Sequence, residues 1–591
     1  MANIVSTNSP SIFQIKQWLG LNESPDGDTD MQMGEAAEMR NFRITRESHL
    51  QIRPGYGVFA TLSENNSVQG MWEGYVDGKH HVVAACGGRL WDVDMAQGTV
   101  VDRGEISDGP TSFFGFSKKL YLLTGSEYYV WDGSESAPKV VEGYIPVVST
   151  AVPPAGGGTL LEGINLLSGK KRSEFSPDGT AKEFQLPELK IDEVLSVEGT
   201  DIKYTSDLTA GKITFSSSPP KGTNTITITW RKGTGSRDKV TGMRFAELYN
   251  GRSDNRVFLY GDGTNTAIYS GLDENGQPSA EYFPELNTLA VDSANTPITA
   301  MIRHYDKLLV FKTDSAYSCQ YDTIEVNGVS TAAFYVTSMN RAIGNAAPGQ
   351  ARLVDNSART LFERAVYDWG LAANSTRDER NAKRISDKVS SALGQFDLEK
   401  CICFDDEWSQ EYYIFCEGRA IVQNYENGAW YYYTNLPVTA VVSIDGVLYF
   451  GTPDGKIMKF SREYRSDDRK DIDAYWESGS MDFSKDWKRK YSSMIWVAIK
   501  PESQALVYVT AESNVKSDYS HKLISSGLST FRNANFAHWS FGTNRKPQLI
   551  RSKLKVKKAT YYKLILYSKS ASATATVLSV DFQVRYTGNV K

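Results

Sequence analysis

Cysteine and histidine are scarce in this chain, which has five cysteines and six histidines among 591 residues. A sparse, odd set of cysteines in a chain of this length argues against a disulfide framework and favours folding in a reducing compartment. The histidines form no recognisable nucleophile–base arrangement, and no Gly-x-Ser-x-Gly elbow is present. The sequence therefore gives no sign of a serine or cysteine hydrolase.

Long apolar runs and a surplus of basic charge are also missing. No run of about 18 apolar residues occurs, so we expect no membrane-spanning helix. The opening residues, MANIVSTNSP, lack the basic and apolar regions of a secretory signal, which predicts synthesis in the cytoplasm of the producing cell. The net charge of −5 and pI near 5.9 argue against a general nucleic-acid binder, although not against a tube through which DNA passes.

Metal-binding patterns are incomplete. Asp26, Asp28 and Asp30 have the spacing of a calcium loop, but Met31 stands where the loop needs glycine and Ala37 where it needs glutamate. We therefore predict no metal site and no cofactor.

Three of the cysteines, Cys401, Cys403 and Cys416, fall on a predicted hairpin. Their spacing is not that of a zinc knuckle, so we interpret them as buried strand residues. Acidic residues lie mostly in turns, where their side chains bond the backbone, and they show no glycosidase pair.

Tyrosine and glycine are abundant, with 32 and 48 residues, and this balance favours strands joined by tight turns. The stretch 256–312 shows the pattern best, because apolar strands alternate there with short polar turns. Short strands and turns of the same kind recur from Val68 to Tyr144, a stretch that we interpret as one unit. The pattern resumes from about Val240 and continues to Phe460. Such radial repetition predicts a β-propeller of about six blades, with five or seven as alternatives.

Two stretches differ from the repeats and predict separate β-sandwiches. Residues 151–235 begin at a Pro- and Gly-rich linker and alternate cleanly, which indicates an inserted sandwich. Residues 467–591 predict a C-terminal sandwich. We therefore predict an all-β, multidomain chain whose propeller occupies residues 67–150 and 236–466, preceded by an N-terminal arm, 1–66.

Within the arm, two segments have patterns compatible with short helices: Ser11–Leu19 and Met33–Met39. The following residues, Asn41–Thr45 and Leu50–Tyr56, alternate as paired strands do. The same arm carries the order GLN, GEAAEMRNFRIT and LQIRPGY.

That order of motifs resembles the tail nozzle, or tail hub, proteins of short-tailed bacteriophages. The similarity extends to SGLDENGQPSAEYFPELN before ITAMIRHYDKLLVFK in the propeller, to the alternating pattern of the insert, and to SGSMDFSKDWKRKY, KVKKATYYKLIL and VRYTGNVK near the end. No single motif is diagnostic, but their order spans most of the chain. The inserted sandwich is the departure, because not every such protein carries one.

The resemblance implies a structural virion protein in the phage tail rather than an enzyme. It implies a ring, expected to be a homohexamer, that contacts the tail adaptor and the tail fibres or spikes. Such a ring extends the DNA channel without sequence-specific binding, retains packaged DNA and opens for ejection. Two other functions remain open: a tail-tip or fibre-type adhesin for host glycans, and a propeller glycosidase.

Candidate contact residues follow from exposure and charge. We expect the apolar residues of the arm, and a basic run in the propeller, to meet a neighbouring subunit: Ile12, Phe13, Trp18, Leu19, Arg377, Arg380, Lys383 and Arg384. Strand alternation in RSKLKVKK predicts one basic face for DNA or a partner: Arg551, Lys553, Lys555 and Lys557. The alternative for these basic residues is a solvated surface.

Overall fold

A computed structural model describes residues 9–24, 30–161, 163–251, 253–326, 329–370, 381–502, 505–516, 522–526 and 547–590. Over these ranges the chain is almost entirely β. The helical segments among them are single turns: Asp238–Thr241, Asp387–Val389, Ser390–Leu393 and Leu398–Lys400. None of the described helices is long and apolar enough to cross a membrane.

Seven four-stranded antiparallel sheets account for the repeats. In chain order, the first four are Val68–Val76, Lys79–Cys86, Arg89–Val93 and Val100–Glu105; Ser112–Phe116, Lys119–Leu123, Tyr128–Trp131 and Lys139–Val140; Phe245–Asn250, Ser253–Tyr260, Thr266–Tyr269 and Thr288–Ala290; and Ile298–His304, Lys307–Lys312, Ala316–Val326 and Val329–Asn340.

The fifth, sixth and seventh sheets follow along the chain. They comprise Arg352–Val354, Ser357–Phe362, Ala365–Trp369 and Lys383–Arg384; Ile402–Asp406, Glu411–Cys416, Arg419–Asn424 and Ala429–Thr434; and Ala440–Ile444, Val447–Gly451 and Lys456–Ser461, completed by Gly55–Thr61. In the seventh sheet an N-terminal strand thus pairs with a strand some 400 residues later, with Tyr56 opposite Phe460.

The number of four-stranded sheets differs from the six blades expected. The stretch from Val68 to Val140, interpreted as one unit, contains two complete sheets. Its turns at Asp77-Gly78 and Ser117-Lys118 each join neighbouring strands within one sheet and have the positive φ angles that tight hairpins require, so these turns do not mark where one sheet ends and the next begins.

The two segments expected to be helical are strands, so that expectation is wrong. Ser11–Ile15 pairs antiparallel with Thr576–Asn589, and Glu35–Arg40 pairs with Ile472–Ser478. Long-range pairing outweighs the weak local preference for helix in these short stretches. The strand pair Phe42–Ile44 and Leu50–Ile52 forms as predicted.

The N-terminal segment is consequently not a free arm, because it supplies strands to both sheets of a sandwich. One sheet joins Phe42–Ile44, Leu50–Ile52, Thr576–Asn589, Lys488–Ile499, Gln548–Ser552, Val556–Ala559 and Ser11–Ile15. The other joins Gly20–Leu21, Glu35–Arg40, Ile472–Ser478, Tyr562–Ser570, Ala505–Ser513 and Lys522–Ser526. Their inner faces share a core in which the rings of Tyr562 and Phe582 lie 6.1 Å apart.

The insert has a five-stranded and a three-stranded sheet around its own core, which includes Phe175, Phe184 and Trp230. The first sheet contains Thr159–Leu160, Val147–Val152, Lys170–Phe175, Ile226–Arg231 and Glu193–Glu198; the second contains Glu183–Gln185, Lys212–Phe215 and Tyr204–Asp207.

Between two of these strands, residues 163–169 return to the core of the second and third four-stranded sheets. Leu166 and Leu167 are buried there beside Phe283. The side chain of Asn165 donates to the carbonyls of Tyr144 and Glu281 at 2.8 and 2.9 Å. The insert is therefore two excursions of the chain, separated by a segment that belongs to the neighbouring sheets.

Contacts divide the protein into two compact units. One comprises the chain up to Val68, Leu361–Asp368 and the chain from Lys383 onward, and holds the sandwich with the sixth and seventh four-stranded sheets. The other comprises Gln69–Thr360 and Trp369–Ala382, and holds the insert with the first four sheets.

Candidate functional site

A buried polar network surrounds Arg53, the arginine of the RPGY motif. Its guanidinium has five N–H donors, and the structure shows five hydrogen bonds. Nε donates to the Asn41 side chain at 2.8 Å, Nη1 to Pro54 O and Asp467 Oδ1 at 2.8 Å, and Nη2 to Thr434 O at 2.9 Å and Asp467 Oδ2 at 2.5 Å. We call this set of contacts the Arg53 joint.

Asn41 extends the Arg53 joint. It adopts φ of 55°, a left-handed conformation that asparagine tolerates better than most residues. Its Nδ2 donates to Thr434 Oγ1 at 2.7 Å and to the Asp473 carbonyl at 2.9 Å. The joint thus connects the N-terminal segment, the end of the sixth four-stranded sheet, and the passage from the seventh sheet into the sandwich.

Burial makes this joint energetically important. The side chains of Arg53 and Asp467 are 0% and 1% exposed. A buried ion pair contributes little by itself, but losing one partner leaves the other charge buried and uncompensated. Loss of either Arg53 or Asp467 alone should therefore destabilise the protein strongly.

The GLN and GEA motifs have similar structural roles. Gly20 has φ of 83°, and a Cβ there would lie 2.6 Å from the Trp430 carbonyl oxygen; Gly34 has φ of 101°, and its Cβ would lie 2.1 Å from Gln17 O. Only glycine fits such positions without strain.

Glu35, in the same motif, is buried and accepts from Lys388 Nζ at 2.9 Å. Burial acts to raise the pKa of Glu35, but hydrogen bonds from Asn22 and Lys388 outweigh it and lower the pKa.

The apolar residues predicted to be exposed differ among themselves. Ile12 is 58% exposed, whereas Trp18 is 1% exposed and packs edge-on against Trp476 with ring centroids 4.8 Å apart. Phe13 is half-buried against Phe483, and Leu19 is also half-buried. The expected exposure is wrong for Trp18, because the C-terminal strands supply the core that the arm was thought to lack.

The basic run in the propeller is described only in part. Lys383 and Arg384 form the exposed outer strand of the fifth four-stranded sheet. Arg384 pairs with Asp387 at 2.7 Å and donates to Ser390 at 2.6 Å. Arg377 and Arg380 lie outside the described residues. The intersubunit role of all four stays a prediction.

The basic run 551–558 alternates between exposed and buried side chains, as strand periodicity predicts. Residues 553–555, between the strands Gln548–Ser552 and Val556–Ala559, are not themselves in a regular strand. Four side chains are exposed, Arg551, Lys553, Lys555 and Lys557, while Leu554 and Val556 are buried. Whether this face meets DNA or a partner stays a prediction.

All five cysteines are buried, and none of them forms a disulfide bond. Over the described ranges, no group of three or more His, Cys, Asp or Glu side chains is placed to hold a metal ion. Asp26 and Asp28 of the incomplete calcium loop lie outside those ranges.

Two acids lie wholly or partly inside the fold, Glu411 fully buried and Glu247 half-buried. Glu411 is fully buried and accepts from Tyr413 at 2.5 Å and Tyr431 at 2.6 Å, with Arg43 at 3.8 Å. Glu247 accepts from the Arg303 amide at 3.1 Å. Burial raises the pKa of Glu247 to about 7, against the lowering effects of that hydrogen bond and of the Arg352 and Arg303 charges.

A cleft of about 450 Å³ lies beside Glu411, between the Phe42–Ile52 hairpin and the sixth four-stranded sheet. We call it the polar cleft, because Trp408 is its single apolar lining side chain. The others are polar or charged: Arg43, Thr45, Arg46, Glu47, His49, Gln51, Glu407, Ser409, Gln410, Asn424, Glu426, Arg462, Lys500 and Thr576.

Sequence reasoning missed both the Arg53 joint and the polar cleft. The RPGY motif was the available signal for the joint, but two of the partners of Arg53, Thr434 and Asp467, are 381 and 414 residues away. Trp408 falls in a turn that was predicted correctly, and a tryptophan in a polar hairpin turn is itself unusual.

No family model matches this chain, and no curated protein matches it. Some solved structures are weakly similar. The computationally designed Ika8 protein is 11% identical, with a TM-score of 0.34, covering 68% of this chain and 99% of its own. A chain of the Mitotic Checkpoint Complex is 10% identical, with a TM-score of 0.33 and coverages of 71% and 93%. YCF48 from Cyanidioschyzon merolae is 9% identical, with a TM-score of 0.24 and coverages of 69% and 99%. Similarities this weak assign no function.

Proposed function

We propose that this chain is a structural virion protein, a nozzle subunit of a short-tailed bacteriophage tail. It assembles as a ring, expected to be a homohexamer, below the tail adaptor and near the tail fibres or spikes. The ring extends the DNA channel, retains packaged DNA and opens for ejection. We propose also that the four-stranded sheets are blades of a β-propeller, and that the chain catalyses no reaction.

The main support for this proposal is the structural role of the motif residues on which the resemblance rests. Gly20, Glu35 and Arg53 are buried at connections between distant parts of the chain, and Gly34 is buried against Gln17 of its own segment. Residues needed for such connections serve architecture rather than a reaction. Motif residues that hold the fold together support the same scaffold in this chain as in the proteins it resembles. The resemblance implies that this scaffold is a tail ring.

Ring assembly gives the direct test. Mass photometry of the purified full-length chain, alone and with its neighbouring tail adaptor, should show one closed species of about six subunits, because a closed ring repeats one heterologous interface by rotation. Each contact should bury more than about 1,000 Å². A chain that stays monomeric with the adaptor at micromolar concentration would contradict the proposal.

Ile12→Glu is the variant that tests the predicted contact. Removing residues 1–40 would also remove three strands of the sandwich, so truncation confuses assembly with folding. Ile12 is exposed in an edge strand, and a charge there should weaken the ring without unfolding the chain. Leu160→Glu, at a 71% exposed residue of the insert, is the matched control and should leave the ring intact.

A tail-tip or fibre-type adhesin is the second candidate. The polar cleft with its exposed tryptophan favours it, because such a surface suits a polyhydroxylated ligand. The two functions are compatible, and glycan binding by a chain that forms no ring would favour the adhesin.

A further inference from the structure

Trp408 is the most exposed large apolar side chain among the described residues, at 78% exposure. Single exposed apolar residues are common on protein surfaces and need no explanation by themselves. Trp408 differs because it is held in place at the edge of a cleft. It lies in the turn between Ile402–Asp406 and Glu411–Cys416, and that turn ends at Gln410 with φ of 54°.

The indole of Trp408 rests on the turn of the neighbouring hairpin. A Cβ placed on Gly446 would lie 2.6, 2.7 and 2.8 Å from Cγ, Cδ2 and Cδ1 of the indole. Three ring atoms at nearly equal distance place Gly446 under the face of the five-membered ring. One face of the indole is therefore supported by backbone, while the side chain as a whole stays open to solvent.

The rest of the polar cleft offers hydrogen-bond donors and acceptors of both charge signs. Arg46 pairs with Glu426 at 2.7 Å, and the Arg46 side chain is 78% exposed. Four basic residues line the cleft, Arg43, Arg46, Arg462 and Lys500, and so do three acidic residues, Glu47, Glu407 and Glu426. This near balance does not select a polyanion such as nucleic acid, whose binding needs a surplus of positive charge.

An apolar peptide also fits the polar cleft poorly, because it would cover these polar groups without pairing them. A ligand that presents many hydroxyl groups can pair with guanidinium, amide and carboxylate groups alike. The same ligand has apolar C–H faces that can stack on an indole. These two requirements together describe a sugar.

We propose that the polar cleft is a saccharide-binding site in which one sugar ring stacks on Trp408 and its hydroxyls bond the polar lining. Arg46 and Gln410 both line the cleft and are exposed, and they are the candidates to orient the ring. This site does not depend on ring assembly, because all of its residues belong to one chain. Binding by the monomer therefore tests it separately from the nozzle proposal.

The experiment uses the full-length chain on a printed array of bacterial envelope oligosaccharides that covers O-antigen, core and capsular repeats. We expect at least one array saccharide to bind, and titration calorimetry with that saccharide then gives the affinity. Trp408→Ala should weaken binding about tenfold or more, the loss typical of an aromatic anchor. Trp408→Phe keeps a stacking face and should stay within about threefold of the wild-type affinity.

Trp487→Ala is the matched control, since Trp487 is 57% exposed and does not line the polar cleft. It should bind the saccharide as the wild type does. Far-UV and near-UV circular dichroism should be the same for all variants apart from the missing indole signal. Failure of every array saccharide to bind would overturn the proposal, and so would unchanged affinity in Trp408→Ala.

Discussion

Replacing Arg53 with alanine should be among the most destabilising single substitutions in this protein. It removes all five hydrogen bonds of the guanidinium and leaves Asp467 buried without its cation. Loss of one partner of a buried pair costs about 3–5 kcal/mol. Water entering the space of the missing side chain offsets part of the unmet hydrogen bonding, so we expect about 4 kcal/mol.

That free energy is large against the marginal stability of a folded unit, which is about 5–15 kcal/mol. The compact unit that holds Arg53 has about 285 residues, and for a unit of that size about 4 kcal/mol corresponds to a fall in melting temperature of roughly 7 °C. Because the chain divides into two compact units, hydrogen exchange should accompany the melt. Amides in residues 41–56 and 467–473 should exchange faster, while those of the insert should not change.

Two further variants distinguish the effect of losing the hydrogen-bond network from the effect of losing a charge. Arg53→Lys keeps the charge but offers at most three donors, so it should cost about half as much. Lys400→Ala removes an exposed cation that pairs with Asp397 and Glu417, and it should leave stability nearly unchanged. If Arg53→Ala costs no more than Lys400→Ala, the joint does not have the importance that its burial implies.

Three further predictions concern other parts of the chain. Trp18→Ala should lower the free energy of unfolding by about 3–5 kcal/mol in urea denaturation, because it empties a core site beside Trp476; equal stability would contradict its burial. Replacing 151–235 by a short linker should unfold the second and third four-stranded sheets, because it removes the buried Asn165 that bonds Tyr144 and Glu281. Replacing 147–162 and 170–232 by separate linkers keeps Asn165 and should leave a cooperative melt of those sheets in calorimetry. Glu247 binds its proton more tightly in the folded than in the unfolded state, so its own contribution to stability should fall as pH rises from about 4.5 to about 7; the melting temperature of Glu247→Gln relative to the wild type should therefore rise over this range, and a constant difference between the two proteins would refute the assignment.

Local patterns were sufficient where strands and turns lie close in sequence. The hairpins at Asp77-Gly78 and Asp445-Gly446 follow from their turn chemistry, because both positions need positive φ. The alternation of Arg551 to Lys557 likewise predicted which side chains are exposed. These features depend on neighbours within about ten residues.

The parts that sequence reasoning missed depend on contacts across the whole chain. Ser11–Ile15 and Glu35–Arg40 have weak local preferences, and their pairing with residues beyond 470 decides their conformation. Arg53 could be noticed as part of a motif, but nothing near it predicts Asp467 or Thr434 as partners. The polar cleft likewise combines residues from 43–51, 407–426, 462, 500 and 576, so its composition cannot be seen along the sequence.

The pairing of Ser11–Ile15 with Thr576–Asn589 has a consequence for biosynthesis. Ile15 lies opposite Val580, so roughly 565 residues must be translated before this strand can find its partner. At about 5–20 residues per second, the first strands wait roughly 30–110 seconds with unpaired edges, a state open to wrong pairing with other nascent chains. The sandwich is therefore the last part of the protein to form, and each newly made chain remains incomplete until its C-terminal strands leave the ribosome.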